Sequence, residues 1–298
     1  MTALLFPGQG AQEASMCEGV AAMPAFASRY RFVCDAAGAD ILDAVARHGE
    51  RVLHRNLFSS LLTVLVASLS LDAFRAREAA APEAVAGYSV GQWTALYAAG
   101  VVDFEQLVGL IVERARAMDA CFEETAGGMS AVIGVREEAL ERELASLRES
   151  GHAVFISNIN CVGQYSIAGT LDALDRAEQR ISGLRPKKLV RLPVSGAWHC
   201  PLLAEAEQRF AAVLARVRLA SPRLPVADNV TGGWLPEAPD ALRATLAAHL
   251  TRPVRWRDCV RTLIAAGSTR LVEVGFGKQL SRFGIFIDRQ VEFSTTYD

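Results

Sequence analysis

No two cysteines stand in a CxxC arrangement, no cysteine–histidine group has zinc-finger spacing, and no long run of one charge sign occurs. The six cysteines, at positions 17, 34, 121, 161, 200 and 259 of a 298-residue chain, therefore read as reduced thiols rather than a disulfide framework. They suggest neither a structural metal nor a metal cofactor. A formal net charge of −2 argues against nucleic acid as principal partner, because phosphate binding needs clustered positive charge. A local basic patch stays compatible with that total. The opening MTALLFPGQG lacks a basic segment, and Pro7 and Gly8 break its apolar run, which argues against a secretory leader. No uninterrupted apolar stretch reaches the ~20 residues of a membrane crossing. The expectation is a cytoplasmic protein with no membrane partner.

What is present fits a globular enzyme: 51% hydrophobic and 21% charged residues. The length lies near the point where a single core stops growing, so one large domain with a smaller one attached or inserted is expected. Ala3 to Phe6 reads as a strand entering the loop Pro7-Gly8-Gln9-Gly10. Leu57 to Phe74 is apolar nearly all round and reads as a buried helix. The Ala-rich stretch 79–86 reads as a surface connection ending in a short buried strand, Ala84-Val85-Ala86. Gln92 to Ala99 then looks helical with Gly100 as its stop, and Asp103 caps a helix over Phe104 to Phe122. After Gly127-Gly128 the texture changes to a β-α-β-β-α-β order, the split βαβ or ferredoxin-like pattern. Its strands are Met129 to Gly134, Ala153 to Asn158, Tyr165 to Ala168 and Lys188 to Leu192; its helices are Glu137 to Ser150 and Leu171 to Ser182. Leu271 to Val274 reads as a further core strand.

Gly87-Tyr88-Ser89-Val90-Gly91 lies between a strand and a helix, where GxSxG has a mechanical meaning. The turn is so sharp that the residues flanking the serine must lack side chains, and it lifts the hydroxyl to a helix N-terminus. Unpaired N–H groups there can receive an oxyanion. A glycine-flanked turn without catalysis is the plainer reading of the same five residues. A serine hydroxyl also needs a base, and five histidines are available, at 48, 54, 152, 199 and 249. His48 and His54 have charged, helix-like surroundings, His152 follows a turn glycine, and His199 sits at a break between strand and helix.

Several segments together resemble the malonyl-CoA:acyl-carrier-protein transacylase family over nearly the whole chain. They are LLFPGQGAQ, GYSVG with AAGVVDF, ERARAM, NINCVGQYSIAG, LPVSGAWHCPL, TRPVRW and EVGFGK. The resemblance implies an α/β class with an α/β-hydrolase-like core domain, residues 1–124 and 195–298, and an inserted ferredoxin-like small domain, residues 125–194. It implies Ser89 as nucleophile and His199 as base, the imidazole oriented by a backbone carbonyl near His249. It matches Arg114 to the carboxylate-binding arginine, a residue that composition alone would leave on a helix surface. Arg116, two residues on, faces about 200° away. Oxyanion donors would be the N–H groups of Val90 and Gln9. Asn160 would stand near the mouth of the site, and Trp198, in Gly-Ala-Trp-His, resembles malonyl- rather than methylmalonyl-selecting relatives.

The implied reaction moves malonyl from malonyl-CoA to the phosphopantetheine thiol of an acyl carrier protein, with no permanently bound cofactor. Three positions depart from the family pattern: Tyr88 for histidine, Gln92 for glutamate, and Phe58-Ser59 for glutamine-proline. GYSVG and the run Arg114 to Asp119 also resemble the transacylase subunit of malonate decarboxylase, and a trans-acting polyketide acyltransferase shares the same chemistry. A serine thioesterase or esterase is the rival that would leave Arg114 without an anion to hold.

Overall fold

The computed structural model describes residues 1–78 and 80–297. Strand β1 (Thr2–Phe6) leads through a 3-10 turn to the helices α1 (Glu18–Ala21), α2 (Phe26–Ala37) and α3 (Ile41–His48). Helix α4 (Asn56–Arg77), β2 (Ala84–Gly87), α5 (Gly91–Ala98) and α6 (Phe104–Ala120) follow. Of the Ala-rich stretch, Ala79 lies outside the described residues, while Ala84 to Ala86 is buried strand. Asp103 opens α6 with a full capping box, its carboxylate accepting from the Gln106 N–H while the Gln106 side chain returns the bond.

Next come β3 (Gly127–Ile133), α7 (Glu137–Glu149), β4 (Val154–Cys161), β5 (Gln164–Thr170), α8 (Leu171–Ser182) and β6 (Lys188–Arg191). These four strands form an antiparallel sheet in the order β4-β5-β3-β6. The chain closes with α9 (Ala204–Leu214), β7 (Val226–Ala227), α10 (Pro239–Ala248), α11 (Trp256–Ala265), β8 (Arg270–Glu273), α12 (Gln279–Ile287) and β9 (Glu292–Thr295). Its second sheet is parallel throughout, ordered β7-β2-β1-β8-β9.

Both faces of the parallel sheet are covered, which is why its strands are apolar without alternation. Leu4, Phe6 and Val85 enter one core; Ala3, Leu5, Ala84 and Ala86 enter the other, with Trp256 and Leu263 of α11. Helix α4 is long and apolar enough to cross a membrane, which the reading of uninterrupted apolar runs did not anticipate. However, 78% of its apolar window is buried inside the fold. Leu61, Leu62, Leu65 and Leu69 are fully enclosed, so protein atoms occupy the place that lipid would take. The antiparallel sheet has a core of its own, around Val132, Leu140, Ile167 and Leu174. It meets the parallel layer where β4 bulges: the Ile159 N–H donates to the Val254 carbonyl at 2.9 Å, and the Val254 N–H to the Ser157 carbonyl at 2.9 Å.

The tightest packing lies where β1 and β2 end. A Cβ on Gly91 would stand 2.2 Å from the Phe6 carbonyl oxygen, and one on Gly87 2.0 Å from the Gly91 oxygen. The clashing atoms are backbone and cannot swing aside. Gly91→Ala is therefore expected to lower stability by about 3 kcal/mol or more, or to prevent folding, read from urea unfolding of the purified variant.

Candidate active site

The turn from β2 into α5 holds Ser89 at φ 53°, a left-handed conformation that costs a non-glycine residue roughly 1–2 kcal/mol. Neighbours hold it there. The Tyr88 N–H donates to the Phe6 carbonyl at 2.9 Å. The Asn229 amide straps the turn from below: its Oδ1 accepts from the Ser89 N–H at 2.9 Å and its Nδ2 donates to the Gly87 carbonyl at 2.7 Å. Asn229 is fully buried. The sequence gives no sign of this role, because an asparagine in Asp-Asn-Val-Thr-Gly reads only as a turn former.

Ser89 Oγ lies 2.6 Å from His199 Nε2, and His199 Nδ1 lies 2.9 Å from the His249 carbonyl oxygen. A carbonyl can only accept, so the ring proton belongs on Nδ1 and Nε2 is left free to accept from the serine hydroxyl. His199 is itself in the left-handed region, at φ 59°, so both partners sit in constrained backbone. Burial, aided by the positive field of Arg114 and opposed by the His249 carbonyl, pushes the His199 pKa down to about 3. The imidazole is thus neutral at physiological pH. Of the other histidines, His48 is exposed, His54 is exposed at the cavity rim, and His152 pairs with Asp172 at 3.4 Å.

Arg114 projects from α6 into the interior and is 1% exposed. None of its three guanidinium nitrogens has a hydrogen-bond partner among the described residues. Burial lowers its pKa to about 10, with the Asp119 carboxylate pulling the other way. Asp119 is engaged elsewhere, accepting from Asn56 Nδ2 at 3.0 Å. Arg116 is exposed and paired with Glu113 at 3.5 Å, as helix geometry requires when Arg114 points inward.

Ser89, His199, Gln9, Trp198 and Asn160 line one cavity of about 200 Å³, closed by Met129, Leu192, Gln279 and Phe283. Arg114 and Val90 do not line it. Val90 is the residue preceding α5, with its side chain fully buried, and Arg114 is enclosed on α6, its charge felt at the His199 ring. The loop carrying Gln9 is tied to α4: Gln9 Nε2 donates to Ser59 Oγ at 2.5 Å and to Asn56 Oδ1 at 3.1 Å. Ser59, one of the departures from the family pattern, thus anchors that loop. Tyr88, another departure, donates its hydroxyl to Asn160 Oδ1 at 2.8 Å and packs edge-on to Trp256. Trp198 lies edge-on to Phe122 and folds back over Gly196, where a Cβ would meet its ring at 2.3 Å. Glu273 accepts from the Leu280 and Ser281 N–H groups, fixing the start of α12 and with it Gln279. A wider groove of about 650 Å³ shares Gly10, Gln164, Gln279 and Phe283 with the cavity and adds Lys278 and Arg282. Among the described residues no three His, Cys, Asp or Glu side chains gather as a metal site would require.

The neutral histidines give a pH signature. Burial first, then the charges of His199 and Arg114, holds His249 well below its ordinary value. A folded-state pKa below the unfolded value means that the unfolded chain takes up the proton first. Stability from these rings is therefore present above about 6.5 and lost as pH falls below it. Between pH 7 and pH 5 the His199 ring is expected to cost ~2 kcal/mol, with a further loss of the same sign from His249, measured as the loss in urea unfolding free energy. A His249→Gln variant should show a smaller loss.

The family model described as "Acyl transferase domain" matches residues 3–286. The polyketide biosynthesis protein ThaF of Burkholderia thailandensis is 35% identical over 281 residues; the match takes in 94% of this chain but only 24% of ThaF. The malonyl CoA-acyl carrier protein transacylase of Escherichia coli K12 is 32% identical over 286 residues, 94% of this chain and 90% of that one. Among solved structures, a malonyl-transacylase in complex with its type II polyketide acyl-carrier protein superposes with a TM-score of 0.91 at 29% identity, covering 100% of this chain and 95% of that one. Matched along nearly its whole length, from the glycine loop through the Ser89 turn to α12, the chain belongs to the acyl transferase family of the malonyl CoA-acyl carrier protein transacylases.

Proposed function

We propose that the protein transfers a malonyl group from malonyl-CoA to the phosphopantetheine thiol of an acyl carrier protein, with Ser89 as nucleophile and His199 as base. The observation that carries this reading is a serine–imidazole contact of 2.6 Å backed by a buried guanidinium that has no partner among the described residues. An uncompensated buried cation is costly, and a carboxylate on the acyl group offsets that cost with two parallel hydrogen bonds. A plain esterase has no such use for Arg114.

In the first half-reaction His199 Nε2 takes the hydroxyl proton as Ser89 Oγ attacks the thioester carbonyl. The N–H groups of Val90 and Gln9 receive the oxyanion, an interaction worth ~3 kcal/mol per donor. Collapse breaks the carbon–sulfur bond, and the departing coenzyme A thiolate takes the proton from His199. In the second half-reaction His199 deprotonates the carrier thiol, which attacks the malonyl ester; the ester carbon–oxygen bond breaks and Ser89 Oγ takes the proton back from His199. The chemistry needs no resident cofactor. Asn160, held by Tyr88, lies on the approach to Ser89, and Lys278 and Arg282 in the adjoining groove suit the phosphates of coenzyme A and phosphopantetheine.

Trp198 supports malonyl over methylmalonyl, since its ring is wedged between Phe122 and Gly196 and has little room to yield to an α-methyl group. Such packing discriminates by about 1–3 kcal/mol. We also read residues 125–194 as a ferredoxin-like domain inserted into an α/β-hydrolase-like domain of residues 1–124 and 195–298. The strand order β4-β5-β3-β6 and the separate core support that division. The six free cysteines support a cytoplasmic location.

Intact-protein mass spectrometry after mixing with malonyl-CoA should show one malonyl adduct, absent from Ser89→Ala. Arg114→Ala should lose at least about tenfold in malonyl over acetyl preference, the equivalent of ~1.4 kcal/mol; an unchanged preference would remove the clamp. Because His199 stays neutral down to about pH 3, the loading rate should show no ionisation near pH 6.5.

A further inference from the structure

The groove beside the Ser89 cavity ends in surface that the transfer chemistry leaves unused. Gln279, Arg282, Phe283 and Phe286 of α12 all border it, the i, i+3, i+4, i+7 spacing of a single helix face. Gln279 and Phe283 also border the cavity that holds Ser89, so this face joins the reacting serine to the exterior. From Gln279 to Phe286 the helix advances about 10 Å. Phe283 is buried, whereas Phe286 beyond it is 60% exposed and Ile285 beside that is 52% exposed. Among the described residues no other aromatic side chain is exposed by more than half. One exposed apolar residue is ordinary; two in succession, at the open end of a groove that leads into an active site, mark a contact surface.

Charge distinguishes the same stretch. Lys278 and Arg282 stand exposed on the groove, and neither forms an ion pair among the described residues. The groove's single acid, Glu13, holds the Ser15 hydroxyl. The acceptor thiol of the transfer is the tip of an arm that hangs from a protein by a phosphodiester. A cavity of about 200 Å³ admits the thiol end and excludes the protein, whose body must rest where the arm leaves. A phosphodiester over Lys278 and Arg282 sets that body against the apolar end of α12. Coenzyme A carries the same arm but no protein.

We propose, resting on the transfer reading above, that Ile285 and Phe286 at the outer end of α12 are the docking surface for the body of an acyl carrier protein. They serve the second half-reaction alone, so carrier recognition and acyl loading depend on different residues of one groove.

The test separates the two half-reactions. Intact-protein mass spectrometry follows loading from malonyl-CoA, then transfer from the loaded protein to two acceptors, the holo acyl carrier protein of Escherichia coli and free phosphopantetheine. The wild type should show a KM for the carrier at least about tenfold below that for phosphopantetheine. Phe286→Ser and Ile285→Ser should each raise the carrier KM roughly tenfold, the loss expected when an apolar anchor is truncated. The phosphopantetheine KM and the loading rate should stay at the wild-type values. Phe286→Leu, which keeps apolar bulk, should recover most of the carrier affinity, and thermal melting checks that each variant is folded. An unchanged carrier KM overturns the proposal. So does equal weakening toward both acceptors, which would make this face a wall for the arm, or a wild type that takes the carrier no better than the free arm. Failure of the transfer reading would appear earlier, as no malonyl adduct on the wild-type chain.

Discussion

A buried guanidinium without a hydrogen-bond partner among the described residues sets the electrostatics around the Ser89–His199 pair. Arg114 is enclosed by α6 and its neighbours, and the nearby Asp119 is turned toward Asn56 rather than toward it. One consequence follows from that placement. The field helps keep His199 and His249 in the neutral state, the only state in which an imidazole can accept a proton from serine. The three guanidinium nitrogens of Arg114 have no hydrogen-bond partner among the described residues, and attraction between unit charges strengthens several-fold where water is excluded.

Ser89 and His199 are held by backbone rather than by a side-chain triad. Ser89 and His199 both occupy left-handed conformations, and the third member of the line is the His249 main-chain carbonyl. A carbonyl orients the ring and sets its tautomer as a carboxylate would, but adds no full negative charge to oppose Arg114. The strain at Ser89 is sustained by the close approach of β1, β2 and α5 and by the Asn229 strap. Such strain persists only where the surroundings over-determine it.

The two sheets meet at the cavity, and each supplies part of its wall. The parallel layer carries Gln9, Ser89 and Gln279; the antiparallel sheet carries Met129, Asn158 and Asn160. The β4 bulges, with the bridge from Ile159 to Val254, fix how far Asn160 reaches toward Tyr88. Departures from the family pattern make sense in this setting. Ser59 anchors the Gln9 side chain, and the Tyr88 hydroxyl spans the gap to Asn160.

Local pattern was enough for the parts whose physics is local. Glycines around Ser89 announced a turn too tight for side chains, Asp103 a capped helix, and the texture of 125–194 a β-α-β-β-α-β succession of elements. Element ends shifted by a few residues because hydrogen bonding to neighbouring chain, not propensity, terminates them. Periodicity put Arg114 and Arg116 on opposite faces of α6 but could not say which face is inside; packing against α4, α5 and α9 decided that. The serine and histidine are 110 residues apart, and Ser89 and Asn229 are 140 apart. Pairings across such distances leave no periodic trace, so Asn229, the His249 ring and the tie from Gln9 to Asn56 and Ser59 became visible only when the folded chain brought them within hydrogen-bonding reach or enclosed them away from water.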